Sequence, residues 1–257
     1  YNHGGAGGKF DEEVPQAYEQ TSDGQANSAD LIGNQMDSGA IQYTSPTIDI
    51  AGVSLTIDAE YSPQATDSNN TDGGSATYSE TFRHGYGLGA TASYEGLTVG
   101  AYGTERENVT PPVAGVDKVR DGFEGAWYAK YSFGPVSVGY SETYLDNGTD
   151  ATAVTAELAT VAKVARTADC IFSSAYMSIA YNVTENLSLS YTSTDDTYDA
   201  QANIAGADGV ADVTQTTDAL QIAYSMGAMS VKAYQMETKN PGYDNDASKL
   251  NVTEIAL

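Results

Sequence analysis

The sequence predicts an all-β fold: a transmembrane antiparallel β-barrel with short turns at one end and long outer loops at the other. Two observations carry that expectation. First, ladders of alternating character run through residues 37–257. Val136-Ser137-Val138-Gly139-Tyr140, Val53-Ser54-Leu55-Thr56-Ile57-Asp58-Ala59-Glu60-Tyr61 and Leu187-Ser188-Leu189-Ser190-Tyr191-Thr192 mostly set apolar or aromatic side chains against small or polar ones. A period of two belongs to a strand with one apolar and one polar face. Second, tight turns alternate with long acidic connections, the habit of outer-membrane barrels. Composition agrees, because 26 Gly and 19 Tyr against a single Trp suit strands with lipid on one side and water on the other.

Eleven strands follow in order, over 37–46, 51–62, 85–95, 97–105, 124–133, 135–144, 173–182, 187–195, 217–226, 229–238 and 249–257. The short connections are Pro46 to Ile50, Tyr94-Glu95-Gly96, Phe133-Gly134-Pro135, Val183-Thr184-Glu185-Asn186 and Met226-Gly227-Ala228, built from the residues that favour tight turns. The long ones are 63–84, 106–123, 145–172, 196–216 and 239–248. All of these fall on one side of an up-and-down meander, and loops of this length are uncommon in compact soluble domains. Facing follows from phase. Val136, Val138 and Tyr140 oppose Ser137, Gly139 and Ser141; Trp127, Ala129 and Tyr131 oppose Ala126, Tyr128 and Lys130; Met177 and Ile179 oppose Tyr176 and Ser178. Aromatics recur at strand ends (Tyr61, Tyr86, Tyr94, Phe133, Tyr144, Tyr181, Tyr191), as in the two girdles of a membrane barrel.

The first 36 residues do not alternate. They are Gly-rich and acidic, with Asp11, Glu12, Glu13, Glu19 and Asp23 close together. Two readings stand: a solvated tail, or one wall of a pore constriction, where crowded carboxylates set a negative potential and attract cations.

The formal net charge is −24 with 18% charged residues, which excludes nucleic acid as a natural partner because its phosphates are repelled. Cys170 is the single cysteine, so no internal disulfide forms. No apolar run approaches the ~20 residues of a membrane helix, which leaves a barrel untouched. His3 and His84 are far apart without ligand spacing, the Gly-rich start lacks a Gly-Lys-Ser/Thr, and no Ser/His/Asp constellation is present. Neither enzyme activity nor a cofactor is expected. Asp195-Asp196 and Asp244-Asn245-Asp246 resemble loose ligands for divalent cations, but they lack EF-hand spacing. Arg83, Arg106, Lys118, Arg120, Lys163 and Arg166 lie in or beside the long loops, where pairing with loop carboxylates is expected.

Three stretches resemble Gram-negative general porins of the alphaproteobacterial kind. They are the acidic loop followed by Asp37-Ser38-Gly39-Ala40-Ile41-Gln42-Tyr43-Thr44-Ser45-Pro46 and Ile50-Ala51-Gly52-Val53-Ser54-Leu55; Gly122-Phe123-Glu124-Gly125-Ala126-Trp127-Tyr128-Ala129 with Phe133-Gly134-Pro135-Val136-Ser137-Val138-Gly139-Tyr140; and Lys249-Leu250-Asn251-Val252-Thr253-Glu254-Ile255-Ala256-Leu257. The resemblance implies a sixteen-stranded barrel whose third loop folds inward after the fifth strand. Residues 1–36 would then be that constriction loop and 37–257 the C-terminal part of the barrel, with five strands missing. Stopping at Leu257 departs from the aromatic end usual in such barrels. Also implied are a bacterial outer-membrane location, lipid around the strands, homotrimers, and passive diffusion of ions and small hydrophilic solutes. Lys130 and Lys232 are the inward cations that alternation leaves for the pore wall. The rival reading is a secreted or surface-attached acidic β-sandwich or β-solenoid that binds or builds.

Overall fold

The computed structural model describes residues 6–21, 27–33, 36, 40–63, 82–108, 120–146, 148, 171–199, 212–227 and 229–257. Asp23, His3, Lys118, Lys163, Arg166, Cys170 and most of the long loops lie outside the described residues. The architecture is all-β. Twelve strands form one antiparallel sheet: β1 Ile41–Thr44, β2 Ile48–Ile50, β3 Val53–Ser62, β4 Phe82–Tyr94, β5 Leu97–Asn108, β6 Gly122–Phe133, β7 Val136–Asp146, β8 Ile171–Thr184, β9 Leu187–Asp199, β10 Val213–Met226, β11 Met229–Lys239 and β12 Leu250–Ala256. Spatial order follows chain order, so the sheet is a meander. Among the described residues no ladder joins the β1/β2 edge to β12, and the sheet is open.

The twelfth strand is β2, which the sequence reading places in a turn. It pairs with β3 beside β1, so β1 and β2 form one interrupted edge line and the remaining path has the expected eleven members. The interruption has a physical cause. Thr44 pairs with Asp58 but Ile48 pairs with Leu55, which leaves one extra residue on the edge side, a β-bulge. Pro46 lies within it and has no N–H to give a ladder. Ser45 repairs the gap from both sides: its N–H donates to the Ile57 carbonyl at 2.8 Å, and its Oγ accepts the Ile57 N–H at 2.9 Å.

The short turns carry the backbone geometry their residues foretell. Glu95 and Gly96 have φ of 44° and 86°, and Ala51 and Gly52 have φ of 52° and 87°, the left-handed pair of a two-residue hairpin. Gly96 also has no room for a side chain, because a Cβ there would sit 2.6 Å from the Ser132 carbonyl oxygen.

Burial along the strands runs opposite to that of a water-soluble sheet. On β7 to β10, Ser141, Thr143, Ser174, Ser178, Ser190, Thr192, Gln215 and Gln221 are buried. The opposite phase exposes Leu88, Val99, Val138, Met177, Ile179, Leu220, Ile222 and Val231. The alternation read from the sequence is therefore correct in phase, and its polar face is the inner one. That inner face wraps residues 6–21 and 27–33, whose described 3-10 turns include Ala6–Lys9 and Ser28–Leu31. Phe10, 1% exposed, stacks on Tyr102 of β5 with ring centroids 5.5 Å apart and lies 6.2 Å from the Tyr128 ring of β6. Pro15 and Val14 press on β7 at Gly139, where an added Cβ would enter the Pro15 ring and lie 3.2 Å from the Val14 Cα. Gly139→Val is expected to cost about 2 kcal/mol through overpacking, read as a lower urea midpoint with an unchanged slope.

Candidate functional site

The inner face and the segment crossing it make up the candidate site. Each strand offers it every second residue, so the polar phase of the ladders becomes a wall. The wall acids spend their oxygens on the segment. Glu60 of β3 accepts the Ala6 N–H at 2.8 Å and the Tyr102 hydroxyl. Glu124 of β6 accepts the Gly33 N–H. Asp196 of β9 accepts the Ser28 N–H and hydroxyl, both at 2.7 Å, and the Tyr243 hydroxyl at 2.6 Å. Gln221 of β10 accepts the Tyr18 N–H at 2.9 Å and donates to the Glu19 carbonyl at 2.6 Å. Glu254 of β12 accepts the Tyr18 hydroxyl at 2.6 Å. Lys9 reaches back from the segment to Asp58 of β3 at 2.5 Å. Tethers thus run from β3 to β12, and the carboxylate acceptors make their hydrogen bonds stronger than the neutral ones at Gln221.

The residues singled out in the sequence take different places. Glu12 is 2% exposed and accepts from Asn27 Nδ2 at 3.1 Å, so it braces its own segment. Its φ of 38° is left-handed, and its carbonyl accepts the Val14 N–H at 2.7 Å. Asp11 is half-buried in the same turn. Glu13 forms an ion pair with Lys130 of β6, with both side chains about one-third exposed (34% and 32%). Glu19 is exposed. Lys232 of β11 holds its ammonium 5.3 Å from the Tyr18 ring centroid, a cation–π contact. The acids therefore do not form one common wall. Glu13 and Glu19 are presented, Glu12 is consumed, and the two inward lysines meet the segment at Glu13 and at Tyr18.

The candidate cation ligands separate. Asp195 and Asp196 are neighbours in a strand and point to opposite faces; Asp195 accepts from Thr216 at 2.7 Å on the outside. Asp244 turns back to accept the Asp246 N–H at 3.0 Å. Arg120 pairs with Asp146 at 2.8 Å, as expected for a loop cation. Arg106 is instead buried, with its guanidinium 3.6 Å from the Phe82 ring centroid. His84 lies 3.0 Å from Glu107 on an exposed part of β4 and β5.

Sequence reasoning missed the wall acceptors Asp58, Glu60, Glu124, Asp196, Glu254 and Gln221. For Asp58, Glu60, Asp196 and Gln221 the signal was available in the polar phase of their ladders, whereas Glu254 shares its phase with Leu250 and Val252. What the sequence does not display is that one remote segment supplies the donors.

The Tyr18 phenol is pushed well above the ordinary tyrosine value, first by its hydrogen bond to Glu254, then by loss of water, then by Glu19. The folded chain therefore keeps this proton where the unfolded chain releases it. The contribution to stability is complete below pH about 10 and is lost as pH rises beyond it. Glu254→Gln is expected to bring the Tyr18 titration back toward ordinary tyrosine, read as the alkaline phenolate absorbance of each protein minus that of its Tyr18→Phe counterpart. Asp196→Ala strands three donors and is expected to cost about 3 kcal/mol. The loosened segment should also be cut faster by trypsin after Lys9.

No protein-family model matches the chain, and no curated protein matches it in sequence.

Proposed function

We propose that the chain forms most of an outer-membrane channel of the porin type, a water-filled passage for passive diffusion of ions and small hydrophilic solutes. The observation that carries this is the polarity of the sheet. The large exposed side chains are Leu, Val, Ile, Met, Tyr, Phe and Trp, and the concealed face carries Ser, Thr, Gln, Asp and Glu among tyrosines and a few apolar side chains. Water on the outside would make that arrangement costly, whereas hydrocarbon outside and water inside make it favourable.

The segment at 6–33 supports the same reading. A stretch held by tethers to β3, β6, β9, β10 and β12 narrows whatever passes beside it. Selection in such a passage works by size and by the fixed charges at its narrowest part. Here those charges are Glu13 with Lys130, Glu19, and Lys232 beside Tyr18. No reaction and no cofactor enter the proposal. The open edges at β1/β2 and β12 need strand partners before the sheet can stand in lipid, because unpaired backbone groups there have no water to bond. Homotrimeric assembly in a bacterial outer membrane is proposed on the resemblance alone.

Planar-bilayer recording tests the proposal. The chain together with the strands that close its sheet should give stepwise, ohmic conductance, and Lys232→Glu should shift the reversal potential in a salt gradient toward cations. Absence of steps, with the protein recovered in the aqueous phase after detergent partition, favours the soluble sandwich instead.

A further inference from the structure

We infer that the outward face of the sheet meets lipid hydrocarbon only along the eight or so residues next to the short turns, and that the rest of each strand stands in water. The inference rests on the channel reading above and adds a level to it.

Counting from the turn end of each strand brings one kind of residue to one height. Tyr61 is eight residues from Val53 on β3, Tyr86 eight from Tyr94 on β4, and Glu105 eight from Leu97 on β5. Tyr144 is eight from Val136 on β7, Asp195 eight from Leu187 on β9, Asp218 eight from Met226 on β10, and Glu237 eight from Met229 on β11. All seven are outward, and each is a tyrosine or a carboxylate. β6 has Gly125 at this height, and a bulge between Asn182 and Thr184 puts β8 out of step. Between the turns and this level the outward residues include Leu88, Val99, Val138, Ile222 and Val231. The lowest outward carboxylate among the described strand residues is Glu142, six from Val136. It is capped by Trp127 Nε1–H at 2.8 Å and the Tyr140 hydroxyl at 2.5 Å.

Beyond that level the outward face changes from apolar to polar. Phe172, Tyr198 and Val213 turn inward and are buried, and Tyr243 from the β11–β12 connection joins them. Ring centroids lie 5.2 Å (Phe172–Tyr198), 5.4 Å (Phe172–Tyr243) and 5.9 Å (Tyr198–Tyr243) apart. The outward positions there are Ser173, Thr197, Asp199, Thr214 and Thr216, with Thr197 and Thr214 hydroxyls 2.9 Å apart. Phe123 on β6 and Ile171 on β8 are the exceptions, and Phe123 leans on Tyr144 with centroids 5.9 Å apart. On the outward face, then, apolar side chains near the turns give way to hydroxyls and carboxylates near the long loops, while the inward face is mixed on both sides of the level: Tyr234, Met236 and Ala219 are buried on the turn side, and Glu124, Asp196, Gln215 and Thr238 on the loop side. A change of surrounding medium explains a switch at one height; a protein partner would cover a patch, not a level shared by seven strands. Eight residues at ~3.3 Å each, on strands tilted ~40°, climb roughly 20 Å, close to the ~25 Å apolar band of such barrels.

Spin labels at four outward sites test the level in the full chain reconstituted in liposomes, with Cys170→Ser as background. Ile222→Cys and Met177→Cys should collide with oxygen more than with a water-soluble nickel chelate. Thr197→Cys and Thr214→Cys should show the reverse ratio. If all four sites meet the chelate, the membrane reading falls and the level with it. If all four prefer oxygen in protein that remains vesicle-bound, the level alone is wrong. If the apolar sites are shielded from both reagents and show spin–spin broadening, a second copy covers the face and the lipid assignment is overturned.

Discussion

A carboxylate taken out of water has to find donors, and in this chain one segment provides them. Asp58, Glu60, Glu124, Asp196 and Glu254 line a concealed face, and residues 6–21 and 27–33 bring lysine, hydroxyl and backbone N–H groups to all five. Without the segment, Asp58, Glu60 and Asp196 would keep only the donors that the sheet and its connections offer, among them Thr44, Tyr102 and Tyr243. Without the acids the segment would have little reason to lie flat on the sheet, because its apolar anchors are few: Phe10 on Tyr102, Val14 with Ala29 on Tyr176, and Ile32. Sheet and segment are therefore mutually required, and the narrow part of the proposed passage is fixed by the same bonds that complete the fold.

The sheet itself was largely legible in the sequence. Period-two alternation placed eleven strand lines and assigned the faces of Val138, Trp127, Met177 and Tyr176 correctly, since local phase decides which side a strand residue takes. β2 escaped because three residues before a hairpin show too little period to separate them from a turn. The inner site was legible only in part. Alternation put Lys130 and Lys232 on the inner face, but nothing local says that Glu13 and Tyr18 lie against them. Glu12 and Glu13 are adjacent and chemically alike, yet a left-handed φ at Glu12 sends one into the segment and leaves the other to Lys130. Such differences arise from tertiary contacts more than a hundred residues apart in the chain.

Charge on the inner surface is less lopsided than the net charge of −24 implies. Lys9 and Lys130 offset Asp58 and Glu13, whereas the neutral donors on Glu60, Glu124, Asp196 and Glu254 do not cancel a carboxylate's charge, and a few groups presented beside the segment modulate that field. Lys232 is the most telling of these, because its neighbour is the face of an aromatic ring. Selectivity should therefore respond to single substitutions at the segment far more than to the many acids elsewhere.

The edge bulge at Ser45 and Pro46 has a consequence for assembly. β12 offers an incoming strand an unbroken ladder over Leu250–Ala256. The opposite edge is cut into pieces of four and three residues, and Pro46 has no N–H to offer. A strand docking there must carry a complementary irregularity, so the edge acts as a key that rejects regular strands, including the chain's own. Such asymmetry guards one border against fibril-like stacking and gives sheet growth a direction.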